Sequence, residues 1–201
     1  MDETGAGTLI ILALTCLVSL IGLFVYPQLV RHSLFRPYWL VRRAQYITLI
    51  SSGFVHADLG HLLFNSITLY SFGFLLERHI GTSQFLVLYF SGLVVGNAGT
   101  YVKHRADPNY SSLGASGAIL AVLFASIVYF PYQRLFIIPI PLPIPAPLFA
   151  LGYLAYSYYS ARQSRGNINH DAHISGALTG LVFVAVTDAG AYRSLLGAAF
   201  N

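Results

Sequence analysis

Long apolar stretches separated by short polar punctuation run through most of the chain. A spanning helix needs about 20 mostly apolar residues, with a range of about 17–25. Walking from one charge or proline to the next gives six such stretches. The first covers 7–26 and is closed by Pro27. The second, 59–76, ends at Glu77 and Arg78, and the third, 83–102, at Lys103, His104 and Arg105. The fourth, 114–130, stops at Pro131; the fifth, 147–160, and the sixth, 172–187, are expected to be the shortest.

Two connecting segments carry a pattern of their own. Between the first and second spans, Arg31, Arg36, Arg42 and Arg43 are mixed with Tyr38, Trp39 and Tyr46. Amphipathic rings and long cations both settle at a membrane interface. Between the fourth and fifth spans, prolines alternate at 139, 141, 143, 145 and 147. Each removes a backbone donor and clashes with the preceding turn, so the segment is expected to be extended at the membrane surface. Pro147 then opens the fifth helix, a position proline favours.

Composition supports the membrane reading. The chain has 201 residues, 56% hydrophobic and only 9% charged, where soluble domains carry about 25% charged residues. So few charges cannot cover a globule in water, and so apolar a chain cannot be disordered. The length suits a single domain, taken here as 1–201. The net charge of +4 comes from scattered Lys and Arg rather than a stripe, so no nucleic-acid partner is expected. Cys16 is alone in an apolar run and reads as a small core hydrophobe. The start, Met1-Asp2-Glu3, lacks a basic region, so the first span is expected to be a retained helix and not a cleaved signal. Small pairs at helical spacing, Gly92 with Gly96 and Gly176 with Gly180, offer faces for close helix approach.

Polar groups inside spans are costly and therefore informative. Spans two, four and six enter from one membrane face, and His61, Ser116 and His173 each lie within about a turn of that entrance. Asn65 follows His61 by four residues and shares its helix face. A serine hydroxyl becomes a nucleophile when a neighbouring base takes its proton, and histidine is the usual base. Ser116 lies in Gly114-Ala115-Ser116-Gly117 at a helix start, where free N–H groups and the helix dipole favour an oxyanion. Asn65 and His61 could add donors. Each residue also has a plainer reading: Ser116 as a helix cap, Asn65 as interhelical glue, and His173, beside His170 and Asp171, as a loop-end histidine or part of a metal site. His56, Asp58 and His61 cluster in sequence but match no zinc spacing, so no metal is expected. The joint occurrence in one layer favours the catalytic reading.

At these residues the chain resembles the rhomboid family of intramembrane serine proteases, from Trp39 to Gly180. The likeness rests on His61-Leu62-Leu63-Phe64-Asn65 with His56 upstream, on Glu77 and Gly81, on Gly114-Ala115-Ser116-Gly117, and on Ala172-His173 with Gly176 and Gly180. The resemblance implies an all-α, six-transmembrane-helix bundle with a membrane-embedded first loop. It implies Ser116 as nucleophile and His173 as general base, with an oxyanion hole of His61, Asn65 and the Ser116 backbone N–H. Gly114 and Gly117 would supply backbone room. The fifth helix and its following loop would gate substrate. The partners implied are transmembrane protein substrates within the lipid bilayer, cut near the end of a span after a small residue, with no cofactor. Position 120 is Leu, where many relatives place an aromatic that packs on the base histidine. Site-side loops hold Arg31, Arg36, Arg42, Arg43, Lys103, Arg105, Arg162 and Arg165, against Arg78, Arg134 and Arg193 on the other side. That bias would put the site in the cytoplasm, whereas bacterial relatives face it outward. Following the family, the expectation is a multi-pass protein of a bacterial-type inner membrane with an extracytoplasmic site. The rival reading is an inactive rhomboid-like protein that binds transmembrane clients. A small transporter or proton relay using His61, His173 and Asp171 is a further rival.

Overall fold

The computed structural model of the chain describes residues 5–137, 140–163 and 168–200. Met1–Glu3, positions 138 and 139 of the proline segment, and Arg165 lie outside the described residues. Helix α1 (Ala6–Leu20) continues into one π-helical turn (Ile21–Val25). Three short helices follow, α2 (Pro27–Ser33), α3 (Pro37–Arg42) and α4 (Thr48–Ser51), then a 3₁₀ turn (Ser52–Phe54). The long helices are α5 (Leu59–Ile80) and α6 (Thr82–His104), followed by α7 (Ser116–Tyr129). Strands β1 (Arg134–Ile137) and β2 (Ile140–Pro145) precede α8 (Ala146–Gln163), α9 (His170–Thr187) and α10 (Ala191–Phe200).

Helix α7 is the axis of the bundle. It is apolar on every side, and all twelve residues from Gly117 to Val128 are buried, as expected of a helix enclosed by others. Helices α9, α6 and α5 surround it. Close approach is possible because the facing residues are small: Gly92 of α6 meets Ala118 and Ala121, and Gly96 meets Gly117 and Ala172. The outer faces of the bundle stay apolar. Leu9, Leu14 and Leu17 on α1, Leu63 and Phe64 on α5, and Leu178, Val182 and Val186 on α9 are all exposed. Faces of this kind suit lipid and not water. Among the described residues three helices are long and apolar enough to cross a membrane, Ala6–Val25, Leu59–Ile80 and Thr82–His104, and Ser116–Tyr129 is shorter and apolar. The chain is a multi-pass membrane protein, mostly helical.

Several boundaries differ from the sequence reading. Glu77 does not close the second span. It is fully buried, and its carboxylate accepts from Gly7 N at 2.8 Å, Thr8 N at 2.7 Å and Thr82 Oγ1 at 2.7 Å. It thereby caps α1, whose first N–H groups have no intrahelical partner, while α5 runs on to Ile80. The shortest of the six stretches is the fourth, at 14 residues, whereas α8 and α9 have 18 each. Enclosed by protein, α7 is released from matching the bilayer thickness. The proline segment is extended as expected, but it pairs antiparallel with β1, Leu135 opposite Ile144 and Phe136 opposite Pro143. The fold is therefore not purely helical. Proline has no N–H, so an edge strand rich in it leaves fewer donors unpaired in an apolar setting. Helix α10 has no counterpart in the sequence reading.

The connection before α5 docks against the Ser116 side of the bundle. Phe35 and Ser112 exchange two backbone hydrogen bonds of 2.9 Å, and Asn97 Nδ2 of α6 donates to Leu49 O at 2.9 Å. Two of its arginines lie over aromatic rings, Arg42 on Tyr38 and Arg43 on Trp39, each 3.9 Å from the centroid.

Candidate active site

Ser116 is the first residue of α7, so its own N–H and the next ones lack a carbonyl one turn back. The turn before it depends on Gly114, at φ +108°. A side chain there would be strained, and its Cβ would fall 2.6 Å from His61 Cε1. Gly114 thus lets the His61 ring lie against the loop that leads into Ser116. Ser52 O fixes the same turn by accepting from Gly114 N at 2.8 Å.

His173 reaches the site from the first turn of α9. Asn169 caps that helix, accepting from Ala172 N at 3.1 Å, and is tied to Thr100 of α6 by a 2.9 Å bond from its Nδ2. Gly176 and Gly180 hold α9 against α7: a Cβ at Gly176 would meet the backbone of Gly117, and one at Gly180 the backbone of Ala121. Gly117, the residue after Ser116, is therefore part of the helix contact that seats His173. The result is a 2.8 Å hydrogen bond between Ser116 Oγ and His173 Nε2.

The other ring nitrogen, His173 Nδ1, lies 2.8 Å from Tyr153 Oη on α8, and the two rings stack with centroids 6.3 Å apart. For Nε2 to accept the Ser116 proton, Nδ1 must carry its own and donate it to Tyr153. In that tautomer Tyr153 Oη is the acceptor for Nδ1–H, and Tyr153 supplies the aromatic neighbour that Leu120 does not. Nothing in the sequence singles it out among Tyr153, Tyr156, Tyr158 and Tyr159. The one hint was the missing aromatic at 120.

Asn65, Ser116 and His173 line one cavity of about 890 Å³ between α5, α7, α8 and the hairpin, with Phe64, Phe149 and Tyr153 among its apolar walls. His61 packs edge-on against His56, centroids 4.8 Å apart. His56 is fully buried in the Val55–Asp58 connection, and burial, aided by nearby His61, pushes its imidazole down to about 3. It accepts from Asn65 Nδ2 at 2.8 Å. Behind Ser116 a void of about 10 Å³ is lined by Asn97, Ser112 and Asn169, room for about one water.

Charge sits at the rim. Asp171 pairs with Lys103 Nζ at 3.1 Å and with His104 Nε2 at 3.3 Å. Tyr110 stacks on His104 at 3.7 Å, and burial, with the Asp171 carboxylate adding, pushes its phenol up to about 12. Among the described residues no three His, Cys, Asp or Glu side chains converge as a metal site would require.

A family model described as Rhomboid domain matches residues 43–189. The chain is 32% identical over 165 residues to RHOMBOID-like protein 12, mitochondrial, of Arabidopsis thaliana, covering 73% of this chain and 48% of that protein. It is 28% identical over 173 residues to Rhomboid protein 1, mitochondrial, of Saccharomyces cerevisiae, covering 83% and 49%. Over 143 residues it is 36% identical to the human Presenilin-associated rhomboid-like protein, mitochondrial, covering 68% and 36%. The chain thus spans about half or less of the length of these relatives.

Proposed function

The chain belongs to the rhomboid family, and on that premise we propose that it is an intramembrane serine endopeptidase. The observation that carries the proposal is the 2.8 Å contact between Ser116 Oγ and His173 Nε2 at a cavity reached between helices. In this reading residues 1–201 form one domain with six spans, α1 with its π turn, α5, α6, α7, α8 and α9. His173 takes the Ser116 proton as Oγ attacks a peptide carbonyl, then returns it to the leaving amine. The oxyanion is held by the Ser116 backbone N–H, Asn65 and His61, at the positive end of α7. Water then releases the acyl group, with His173 again as base. The substrate is a transmembrane segment of another protein, admitted between α5 and α8 and cut after a small residue near its end. The site mouth is placed on the extracytoplasmic side, following the family's topology and not the arginine count.

The test is cleavage in liposomes. Wild type, Ser116→Ala and His173→Ala each meet a single-span test substrate with small residues near its outer end. Wild type is expected to cut and both variants to fail while folded. Cutting by Ser116→Ala would overturn the assignment. A wild type that captures the substrate and leaves it intact would support the client-binding reading.

A further inference from the structure

The proposed hydrolysis uses Asn65 but says nothing of what aims its amide, and an amide aimed backwards would present a carbonyl to the oxyanion. The surroundings of Asn65 settle the direction. Ser19, on α1, lies 3.1 Å from Phe54 O and 2.9 Å from His56 Nδ1. A hydroxyl has one proton. A carbonyl can only accept, so the Ser19 proton goes to Phe54 O, and Ser19 Oγ must in turn accept from His56 Nδ1–H. The neutral imidazole then offers a lone pair at Nε2. Nε2 is 2.8 Å from the Asn65 amide, which must therefore turn its Nδ2 and not its oxygen towards His56. Every step is forced by the one before it.

Burial makes the chain strict. Ser19 and His56 are fully buried and Asn65 is 8% exposed, so water cannot replace a mismatched partner and a reversed amide would leave buried groups unpaired. With one Nδ2–H held by His56, the second remains for the cavity that Asn65 shares with Ser116 and His173. Ser19 also lies on a helix outside the region the family model matches, residues 43–189.

We infer that Ser19 and His56 are positioning residues for catalysis: they fix the Asn65 amide so that it presents N–H, not C=O, to the developing oxyanion. The inference rests on the protease reading above. It assigns α1 a part in the chemistry through the proton order of a buried chain.

The experiment measures kcat and KM in proteoliposomes for wild type and for Asn65→Ala, His56→Phe, His56→Gln and Ser19→Ala, with His56→Phe and Ser19→Ala repeated in the Asn65→Ala background. Loss of an oxyanion donor costs about 10²–10³ in kcat. His56→Phe, which frees the amide without deleting it, is expected to lower kcat about ten- to hundredfold with KM unchanged. Ser19→Ala, one oxygen smaller and sure to test the chain if the phenylalanine does not fold, is expected to lower it about three- to tenfold. His56→Gln restores an acceptor near Nε2 and should recover most of the rate. Neither His56→Phe nor Ser19→Ala should lower kcat further once Asn65 is Ala. Effects that multiply with Asn65→Ala, or a glutamine no better than phenylalanine, would overturn the inference and leave a merely structural role. If Ser116→Ala is inactive but Asn65→Ala is not impaired, the inference falls and the protease reading stands. If Ser116→Ala still cuts, the protease reading itself falls.

Discussion

Gly176→Ala tests whether the α7–α9 contact sets the reactive distance. An alanine Cβ there would lie 2.7 Å from the carbonyl carbon of Gly117 and 2.9 Å from its Cα, with the Gly117 oxygen closer still. Carbon atoms in contact sit at about 3.5–4.0 Å. All the clashing atoms are backbone, so no side chain can swing aside, and the helices must separate by roughly 1 Å. His173 lies one turn before Gly176 on α9, and Gly117 follows Ser116, so the separation acts directly on the 2.8 Å Oγ–Nε2 contact. It would stretch that contact to about 3.6–3.8 Å, past the range in which such a bond forms. A misplacement of about 1 Å costs about 10²-fold in rate, and overpacking costs a further 1–3 kcal/mol or so of stability. The assay is kcat/KM in proteoliposomes alongside thermal unfolding in detergent. Gly152→Ala on α8 is the control: no atom lies within 4 Å of its Cβ, and alanine favours helix by about 0.5–1 kcal/mol. Expected are a loss of about a hundredfold at 176 and none at 152. If Gly176→Ala cut within about threefold of wild type, the dyad distance would be set by something other than this contact.

Three further outcomes follow from the same structure. Tyr153→Phe keeps the ring on His173 but removes the Oη acceptor; with a net worth of about 0.5–1.5 kcal/mol for that bond, kcat should fall about three- to tenfold at constant KM, and an unchanged kcat would remove Tyr153 from the site. Glu77→Ala leaves Gly7 N and Thr8 N uncapped in a buried setting and should lower stability by about 3 kcal/mol or more, read as a drop in Tm. His56 gives a pH signature: its folded value is about 3 against an ordinary 6.5, so between these the unfolded chain binds a proton that the folded one refuses. Its contribution is complete above about pH 6.5 and declines below it by up to about 1.4 kcal/mol per pH unit; urea unfolding of His56→Gln between pH 4 and 7 should be flatter than wild type, and an equal slope would contradict this.

What was legible in the sequence, and what was not, divides along a physical line. Hydropathy located the long apolar helices α1, α5 and α6 because lipid-facing positions need apolar side chains whatever their neighbours, and helix parity grouped His61, Ser116 and His173 at one face. The errors fall where a polar group is satisfied by something distant in sequence. Glu77 looks like a span end until its carboxylate is found capping α1. The strand Arg134–Ile137, for which the sequence offers no element, becomes visible only through its pairing with the proline segment. Helix α10 has 10 residues, too few for a walk tuned to membrane thickness. Ser19 was invisible for a related reason. A small hydroxyl in such a helix ordinarily bonds its own carbonyl one turn back, as Thr68, Ser71, Ser126 and Thr179 do here, and only the fold shows that Ser19 does not.

The two histidine chains share a design that the solvent explains. In water, a base histidine is commonly oriented by an ionised carboxylate. Inside a bilayer that carboxylate would have to be stripped of water, at a cost of several kcal/mol before any gain. Here the partner of His173 Nδ1 is a neutral phenol, and the partners of His56 are a hydroxyl and an amide. At His56 donor and acceptor counting fixes the proton, at His173 the phenol can accept the Nδ1 proton, and neither arrangement leaves a net charge to desolvate. Among the described residues ion pairs occur only at the rim, where Asp171 meets Lys103 and His104. The buried carboxylate, Glu77, is held away from the reactive groups by two backbone N–H donors and a hydroxyl. Replacing Tyr153 with an acid should therefore impair the site: Tyr153→Glu adds a stronger acceptor but brings a charge whose desolvation the cavity cannot offset, and it should cut more slowly than Tyr153→Phe. A glutamate variant faster than the phenylalanine one in the liposome assay would show that water reaches this helix freely and that the neutral design is not imposed by the membrane.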